Sequence, residues 1–397
     1  MKKVQFLFAI VSFFLILGIS SLSAHAKNIT VVIDPGHGGE NLGGTYGNFI
    51  EKEMTLKTAY AMKDHLEQYD DVIVYLTHDN PTDDMSLKKR AQFAASVDAD
   101  FLFSLHYNMS EEHRFYGTEV WTSAFDNYYQ AGTQFGLIET EELSKLGLFN
   151  RGIKTRLNDR GTDYYGIIRE AREVGVPCVI IEHCHIDEPR DAVYLENADI
   201  YKTFGEINAE SVAKFFRLSS KSLDKDYSSY QVPVVEMPTG VVKPDLSVPE
   251  KAEISATINI GAQTADILLN AYDSDSDILY YDYSFDGGKT YSCLNSWDGK
   301  DTIQFSINLT EEESMQFCCR VYNAYDRFTV SNTITIPPGA VKQEESTKES
   351  YILENTPIKQ KQDDTLFTIL CCLILIVILY NGFLVIYLIR KKRRKQK

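Results

Sequence analysis

Residues 28–218 alternate short β-branched apolar runs with longer stretches of helical period, and this alternation restricts the chain more than any other feature. The runs Ile29–Ile33, Val72–Thr77, Phe101–Leu105, Thr118–Trp121 and Cys178–Glu182 predict β-strands. Between them Glu51–Tyr69, Leu87–Ser96, Thr133–Leu148 and Asp191–Phe216 predict helices. In the first of these Met54, Leu56, Ala59, Tyr60, Met62 and Leu66 fall largely on one face. The expected fold is α/β, a mixed sheet flanked by helices in three layers.

The ends of these elements carry the chemistry. Val31-Val-Ile-Asp-Pro-Gly-His-Gly-Gly39 stops a strand at Asp-Pro-Gly and sets His37 in the turn, at the strand end where open sheets place their sites. A histidine in a glycine turn is by itself usually a surface residue. Glu51 opens a helix, where an acid commonly serves the macrodipole, and Glu53 competes for any role there. His106 closes an apolar strand, and a buried polar group there needs a partner. Glu182 closes Val179-Ile-Ile, where a carboxylate is costly without a partner or a task. Two histidines and one carboxylate match the ligand set of a catalytic zinc site with an open fourth position. A nearby glutamate adds what amide hydrolysis requires.

In order and spacing these elements resemble the zinc-dependent N-acetylmuramoyl-L-alanine amidases of the type 3 amidase family. The resemblance runs from Ile29 to Phe216. It rests on residues 31–39, Glu51-Lys-Glu-Met-Thr-Leu56, Ser86-Leu-Lys-Lys-Arg90, Phe103-Ser-Leu-His-Tyr-Asn108, Gly117-Thr-Glu-Val120 and Pro177-Cys-Val-Ile-Ile-Glu182. It implies Zn2+ held by His37, Glu51 and His106, Glu182 as the catalytic carboxylate, and peptidoglycan as substrate. The bond implied is the amide between N-acetylmuramic acid and L-alanine. Asp34 is expected to orient a ligand imidazole. Asn108, Tyr165 and Arg169 are expected to bind substrate, the last two from Tyr164-Tyr-Gly-Ile-Ile-Arg169, where the family lines its groove. The chain departs from the family after Glu182, with His183-Cys-His-Ile-Asp187. His183 and His185 are read as site-wall or packing residues, with metal binding as the competing reading. A zinc peptidase or deacetylase on another envelope amide, and a non-catalytic wall-binding protein, are the rival readings.

The chain ends suggest where the protein works. Lys2 and Lys3, the apolar run Val4–Ile19 and Ser23-Ala-His-Ala26 read as a secretory signal peptide over residues 1–26, with an N-terminal anchor as the competing reading. Leu366–Ile389 carries no charge, and seven cations follow it. A transmembrane helix over 365–389 and a basic cytoplasmic tail over 390–397 would put the catalytic domain outside the cell membrane, in a Gram-positive-like bacterium. The formal charge is −16; setting aside the three cations of residues 1–27 and the seven of the tail leaves −26 between them. That surface repels nucleic acid.

Between these ends the expected order is a catalytic domain over 27–218, a proline-rich linker or extended connection over 219–250, an immunoglobulin- or fibronectin-like β-sandwich over 251–337 and a polar stalk over 338–364. The sandwich is read as an independent module whose partner the sequence does not name. Asp286-Gly-Gly288 is expected to close a hairpin, and a Cys293 bridge to Cys318 or Cys319 is considered.

Overall fold

The computed structural model describes residues 28–309, 314–338 and 350–353. The expected signal peptide, transmembrane helix and basic tail lie outside the described residues. Among the described residues no helix is long and apolar enough to cross a membrane.

The α/β domain is built on strands β1 (Ile29–Pro35), β4 (Val72–Leu76), β5 (Phe101–Asn108), β6 (Thr118–Thr122), β7 (Asn150–Lys154) and β8 (Cys178–His185); β2 (Thr45–Tyr46) and β3 (Phe49–Ile50) form a small hairpin before the first helix. The main sheet runs β4-β1-β5-β8-β6-β7. Strands β4, β1, β5 and β8 are mutually parallel, and β6 turns antiparallel to β8. Helices α1 (Glu51–Leu66), α3 (Asp126–Ser144) and α6 (Ile200–Phe216) share one apolar core with the sheet; α2 (Leu87–Ser96) and α4 (Gly166–Glu173) share another, and α5 (Pro189–Leu195) lies before α6. Alternate residues feed the two layers. Val31, Phe101, Phe103, Val179 and Ile181 join the first core, while Val32, Leu102 and Ile180 join the second. This is the expected three-layer arrangement.

Sequence and structure differ in several places. The helix expected over Asp191–Phe216 is broken into α5 and α6, because residues 196–199 form a turn. Edge strand β7 was not expected: Asn150-Arg-Gly-Ile-Lys154 has neither an apolar run nor alternation. Helix α4 was missed as well, its eight residues being too short for a clear period.

Residues 219–250 are not a loose tether. A small hairpin, β9 (Ser219–Ser220) with β10 (Lys225–Asp226), follows α6. The chain then runs extended along the domain. Gln134 Nε2 donates to Pro233 O at 3.0 Å, Gln130 Nε2 to Val235 O at 2.7 Å, and Val242 N–H to Ala124 O at 2.9 Å. Prolines suit this path because an extended segment outside a sheet does not need their missing N–H groups.

The second domain contains two antiparallel sheets around one core. One sheet is ordered β15 (Thr302–Asn308), β12 (Thr264–Tyr272), β11 (Lys251–Asn259), β19 (Ser350–Leu353). The other is ordered β14 (Asn295–Ser296), β13 (Ile278–Ser284), β16 (Met315–Asn323), β17 (Phe328–Val330), with β18 (Ile334–Ile336) also on β16. Ile258, Ile267 and Leu269 from the first sheet meet Phe317 and Val321 from the second. The stalk reading of 338–364 is corrected at 350–353, where the chain returns and pairs with Ala256–Asn259 of β11. The strand expected over Thr329–Ile336 is divided between β17 and β18. Asp286-Gly-Gly288 lies, as expected, in the connection between antiparallel β13 and β14, a long loop that Asp286 ties through Lys289 N–H and Thr290 N–H, each at 2.9 Å. Cys178, Cys184, Cys293, Cys318 and Cys319 are all free, so the disulfide considered for Cys293 does not form.

The two domains share a buried apolar seam. Phe115, Tyr116 and Phe149 of the α/β domain pack against Leu279, Tyr280, Leu294 and Tyr322 of the sandwich. Arg114 Nη2 also reaches Asp282 Oδ2 at 2.5 Å, and Arg190 Nη1 donates to Leu294 O at 2.6 Å.

Candidate metal and catalytic centre

Three elements bring His37, Glu51 and His106 together. His37 stands in the turn after β1 with φ of 69°, a left-handed conformation that is uncommon for a residue with a side chain. Its backbone is clamped by Arg90, which donates to Pro35 O at 2.7 Å and to His37 O at 2.5 Å. Asp34 in turn holds Arg90 at 2.8 Å and accepts from the Thr77 and Ser104 hydroxyls at 2.6 and 2.8 Å. Asp34 therefore supports the site through Arg90 and the turn backbone. It does not bond an imidazole directly, which corrects the expectation. Gly36 must lack a side chain, because a Cβ there would lie 2.4 Å from the His106 ring.

Glu51 is the first residue of α1 and the hub of the cluster. Its Oε2 lies 3.0 Å from His37 Nε2 and accepts the Gly44 N–H at 2.6 Å. Its Oε1 lies 2.9 Å from His106 Nδ1 and accepts the Tyr107 N–H at 3.1 Å. Burial disfavours this charge, but the hydrogen bonds and positive ends of the two imidazoles outweigh it and hold the carboxyl well below its ordinary range. Burial also works against protonation of His37, yet Glu51 outweighs it and raises the imidazole. His37 Nδ1 is 3.1 Å from Asn41 Oδ1, which accepts from the Nδ1–H tautomer and leaves the Nε2 lone pair facing the cluster. One ligand atom from each residue lies within 4.8 Å of the others. Two imidazoles, one ionised carboxylate and an oriented tautomer fit a zinc ion.

Sheet register sets three further side chains in a row. Glu182 is paired with His106 on β5 and with Glu119 on β6. The Oε2 of Glu182 is buried with no hydrogen-bond partner among the described residues. Burial, with Glu51 and Glu119 nearby, pushes its carboxyl well above the ordinary range. Glu119 behaves in the opposite way. Although burial disfavours its charge, Arg151 Nε at 2.7 Å and Lys154 Nζ at 2.6 Å hold it ionised. Adjacent carboxyls in such different surroundings suit different tasks.

Glu119, Arg151 and Lys154 were not singled out from sequence. Glu119 gave the same signal as Glu182, a carboxylate inside an apolar strand. The two cations lie on the unexpected strand β7 and gave no signal.

The other expected residues divide. Asn108 Nδ2 donates to Glu119 Oε1 at 2.8 Å, and Asn108 lines a cavity of about 580 Å³ together with Glu182 and Tyr165. Tyr165 also borders a second cavity of about 320 Å³ that contains His37 and His106. The centre thus lies between two depressions. Arg169 lines neither; its Nη1 donates to Asp163 O at 2.8 Å and Tyr164 O at 3.1 Å and fixes the turn that presents Tyr165. His183 is buried on the opposite face of β8. Its ring lies 5.0 Å from Tyr107, its Nδ1 is 2.9 Å from His106 O, and burial pushes its pKa down to about 4. His185 is buried with its Nδ1 3.3 Å from Gly117 O. Neither belongs to the His37–Glu51–His106 group.

Comparison with known proteins matches the α/β domain to other chains. A family model described as N-acetylmuramoyl-L-alanine amidase matches residues 31–214. The chain is 29% identical over 201 residues to the N-acetylmuramoyl-L-alanine amidase CwlM of Bacillus licheniformis, covering 49% of this chain and 71% of that one. It is 30% identical over 176 residues to the N-acetylmuramoyl-L-alanine amidase LytC of Bacillus subtilis, covering 44% of this chain and 32% of that one. Among solved structures, the catalytic domain of CwlV from Bacillus (Paenibacillus) polymyxa var. colistinus aligns at 23% identity with a TM-score of 0.41, over 47% of this chain and 98% of that one. The segment that this family model matches contains His37, Glu51, His106 and Glu182.

Proposed function

We propose that the α/β domain hydrolyses the amide joining N-acetylmuramic acid to L-alanine in peptidoglycan, with zinc held by His37, Glu51 and His106. The carrying observation is the convergence of those three ligand atoms within 4.8 Å, with Glu182 in register beside His106. When bound, zinc polarises a carbonyl and makes water a competent nucleophile near neutral pH.

The remaining work belongs to the side chains. Water adds to the amide carbon as its proton passes to Glu182. The Glu182 Oε2 has no hydrogen-bond partner among the described residues, which leaves it open to receive that proton. The C–N bond then breaks, and Glu182 returns the proton to the leaving peptide amine. The products are a muramic acid carboxylate and a peptide with a free L-alanine amine. Glu119, neutralised by Arg151 and Lys154, positions the Asn108 amide at the cleft wall.

The reading is tested by digesting purified peptidoglycan with the full chain, with and without a chelator, and weighing the products. Peptides with a free N-terminal L-alanine beside intact glycan are expected. Release of acetate or internal peptide cleavage would favour the rival hydrolases, and absence of any product would favour a wall-binding role.

We also propose that the protein is secreted and held at the cell membrane by Leu366–Ile389, with the catalytic domain outside and the sandwich as an immunoglobulin-like module. The A-x-A pattern before Lys27 and the seven cations after Ile389 support this reading. Protease added to intact protoplasts should release both domains; their protection would overturn it.

A further inference from the structure

We propose that the β-sandwich forms the peptide-side wall of the catalytic cleft and that Arg327, together with Arg156, recognises a carboxylate of the peptide being released. The proposal rests on the amidase reading above. The cavity of about 580 Å³ that contains Glu182 is not enclosed by the α/β domain alone. Pro244 and Leu246 of the connecting segment and Tyr325, Asp326 and Arg327 of the sandwich complete its lining. Its size lies within the usual range for small-ligand sites, roughly 300–1,000 Å³.

This wall is fixed in place. Arg151 Nη2 holds Asp326 at 3.0 Å, Tyr325 Oη accepts the Thr155 N–H at 3.3 Å, and Tyr280 is buried in the seam between the domains. The turn carrying residues 325–327 is braced from within, where Asn323 Oδ1 accepts the Tyr325 and Arg327 N–H groups, each at 3.0 Å.

The mechanism decides which part of the substrate enters this cavity. Glu182 hands its proton to the leaving amine, so that amine must lie on the Glu182 side of the centre. The leaving amine is the peptide's N-terminus, and the peptide therefore extends along the sandwich wall. The cations there divide into two kinds. Arg151 and Lys154 are buried and already occupied by Glu119 and Asp326. Arg156 and Arg327 are exposed at the cleft and form no ion pair among the described residues; Arg156 lies 3.8 Å from the centre of the Tyr164 ring. A guanidinium free of carboxylates at the wall of a peptide site suits bidentate binding of a carboxylate. Exposed Glu111 and Glu112 border the same cavity and leave a place for an amine on the same peptide.

The test uses the full chain and two synthetic N-acetylmuramoyl peptides, one with free carboxylates and one with those groups converted to carboxamides. Arg327→Gln should raise KM for the free acid about tenfold, the loss of one charge-assisted contact, with kcat little changed. Arg156→Gln should act in the same direction, and neither should alter KM for the carboxamide. Equal KM values for wild type and Arg327→Gln on the free acid would overturn the proposal. So would an equal loss on both peptides, which would indicate a displaced wall. Calorimetric binding of both peptides in a Glu182→Gln background supplies a second readout. Failure of the wild-type chain to cleave either peptide counts against the amidase reading, whereas unchanged affinity on adding Arg327→Gln to the Glu182→Gln background counts against the wall alone.

Discussion

Arg151 and Asp326 join the catalytic domain to the sandwich: the guanidinium donates Nη2 to both carboxylate oxygens, at 3.1 and 3.0 Å. The same guanidinium donates Nε to Glu119 at 2.7 Å and Nη1 to the Tyr280 hydroxyl at 3.0 Å. A single buried side chain therefore links the residue beside Glu182 to the second domain.

Removing that link should destabilise the whole protein. Arg151→Ala leaves Asp326 and Tyr280 without their donor and Glu119 with Lys154 as its remaining cation. Breaking a buried pair typically costs about 3–5 kcal/mol. Arg151→Lys should recover little, because one ammonium does not reproduce three divergent contacts. Differential scanning calorimetry of the full chain checks this; an unchanged melting midpoint for Arg151→Ala would show that the contact is dispensable.

The ligands and the base should separate in a metal assay. His37→Ala, Glu51→Ala and His106→Ala should each lower bound zinc and amide release together. Glu182→Gln should retain zinc while turnover falls by about 10²–10⁴-fold. Zinc per protein by atomic absorption, read beside product release, checks the division. An empty site in His183→Ala together with a filled one in Glu51→Ala would sink the ligand assignment.

Glu139 gives the fold a pH dependence away from the site. It is buried on α3, and burial, opposed by nearby hydrogen bonding and outweighing it, raises its pKa from 4.5 to about 8. Between these values the folded chain keeps a proton that the unfolded chain has lost. Its contribution to stability is therefore present in full below pH 4.5 and declines as pH rises to about 8. Glu139→Gln should flatten that decline. Urea unfolding at intervals from pH 5 to pH 8 measures it, and identical slopes for wild type and variant would refute it.

Cutting the chain after residue 222 should not yield a well-behaved domain. Phe115, Tyr116 and Phe149 would lose the sandwich residues that cover them, and an exposed apolar patch of this kind promotes association. Aggregation or a lowered melting midpoint is expected. A monomeric 28–222 fragment melting as the full chain does would show that the seam adds nothing to stability.

The proposed zinc and proton-transfer residues were legible in the sequence because each breaks a local pattern. His37 interrupts a glycine turn, His106 and Glu182 end apolar strands, and Glu51 starts an amphipathic helix. Such breaks are visible because strand and helix periods are short-range properties of the chain. The layer order followed from the same periods. What tertiary structure alone decided was adjacency. Glu119 meets Glu182 because β6 reverses direction beside β8, and Arg151 reaches both domains because unpatterned β7 forms the sheet edge. The sequence treated the sandwich as a separate module, and the structure makes it a wall of the cleft. Pairings between residues this far apart in the chain depend on register, strand order and docking, and local periodicity carries no record of them.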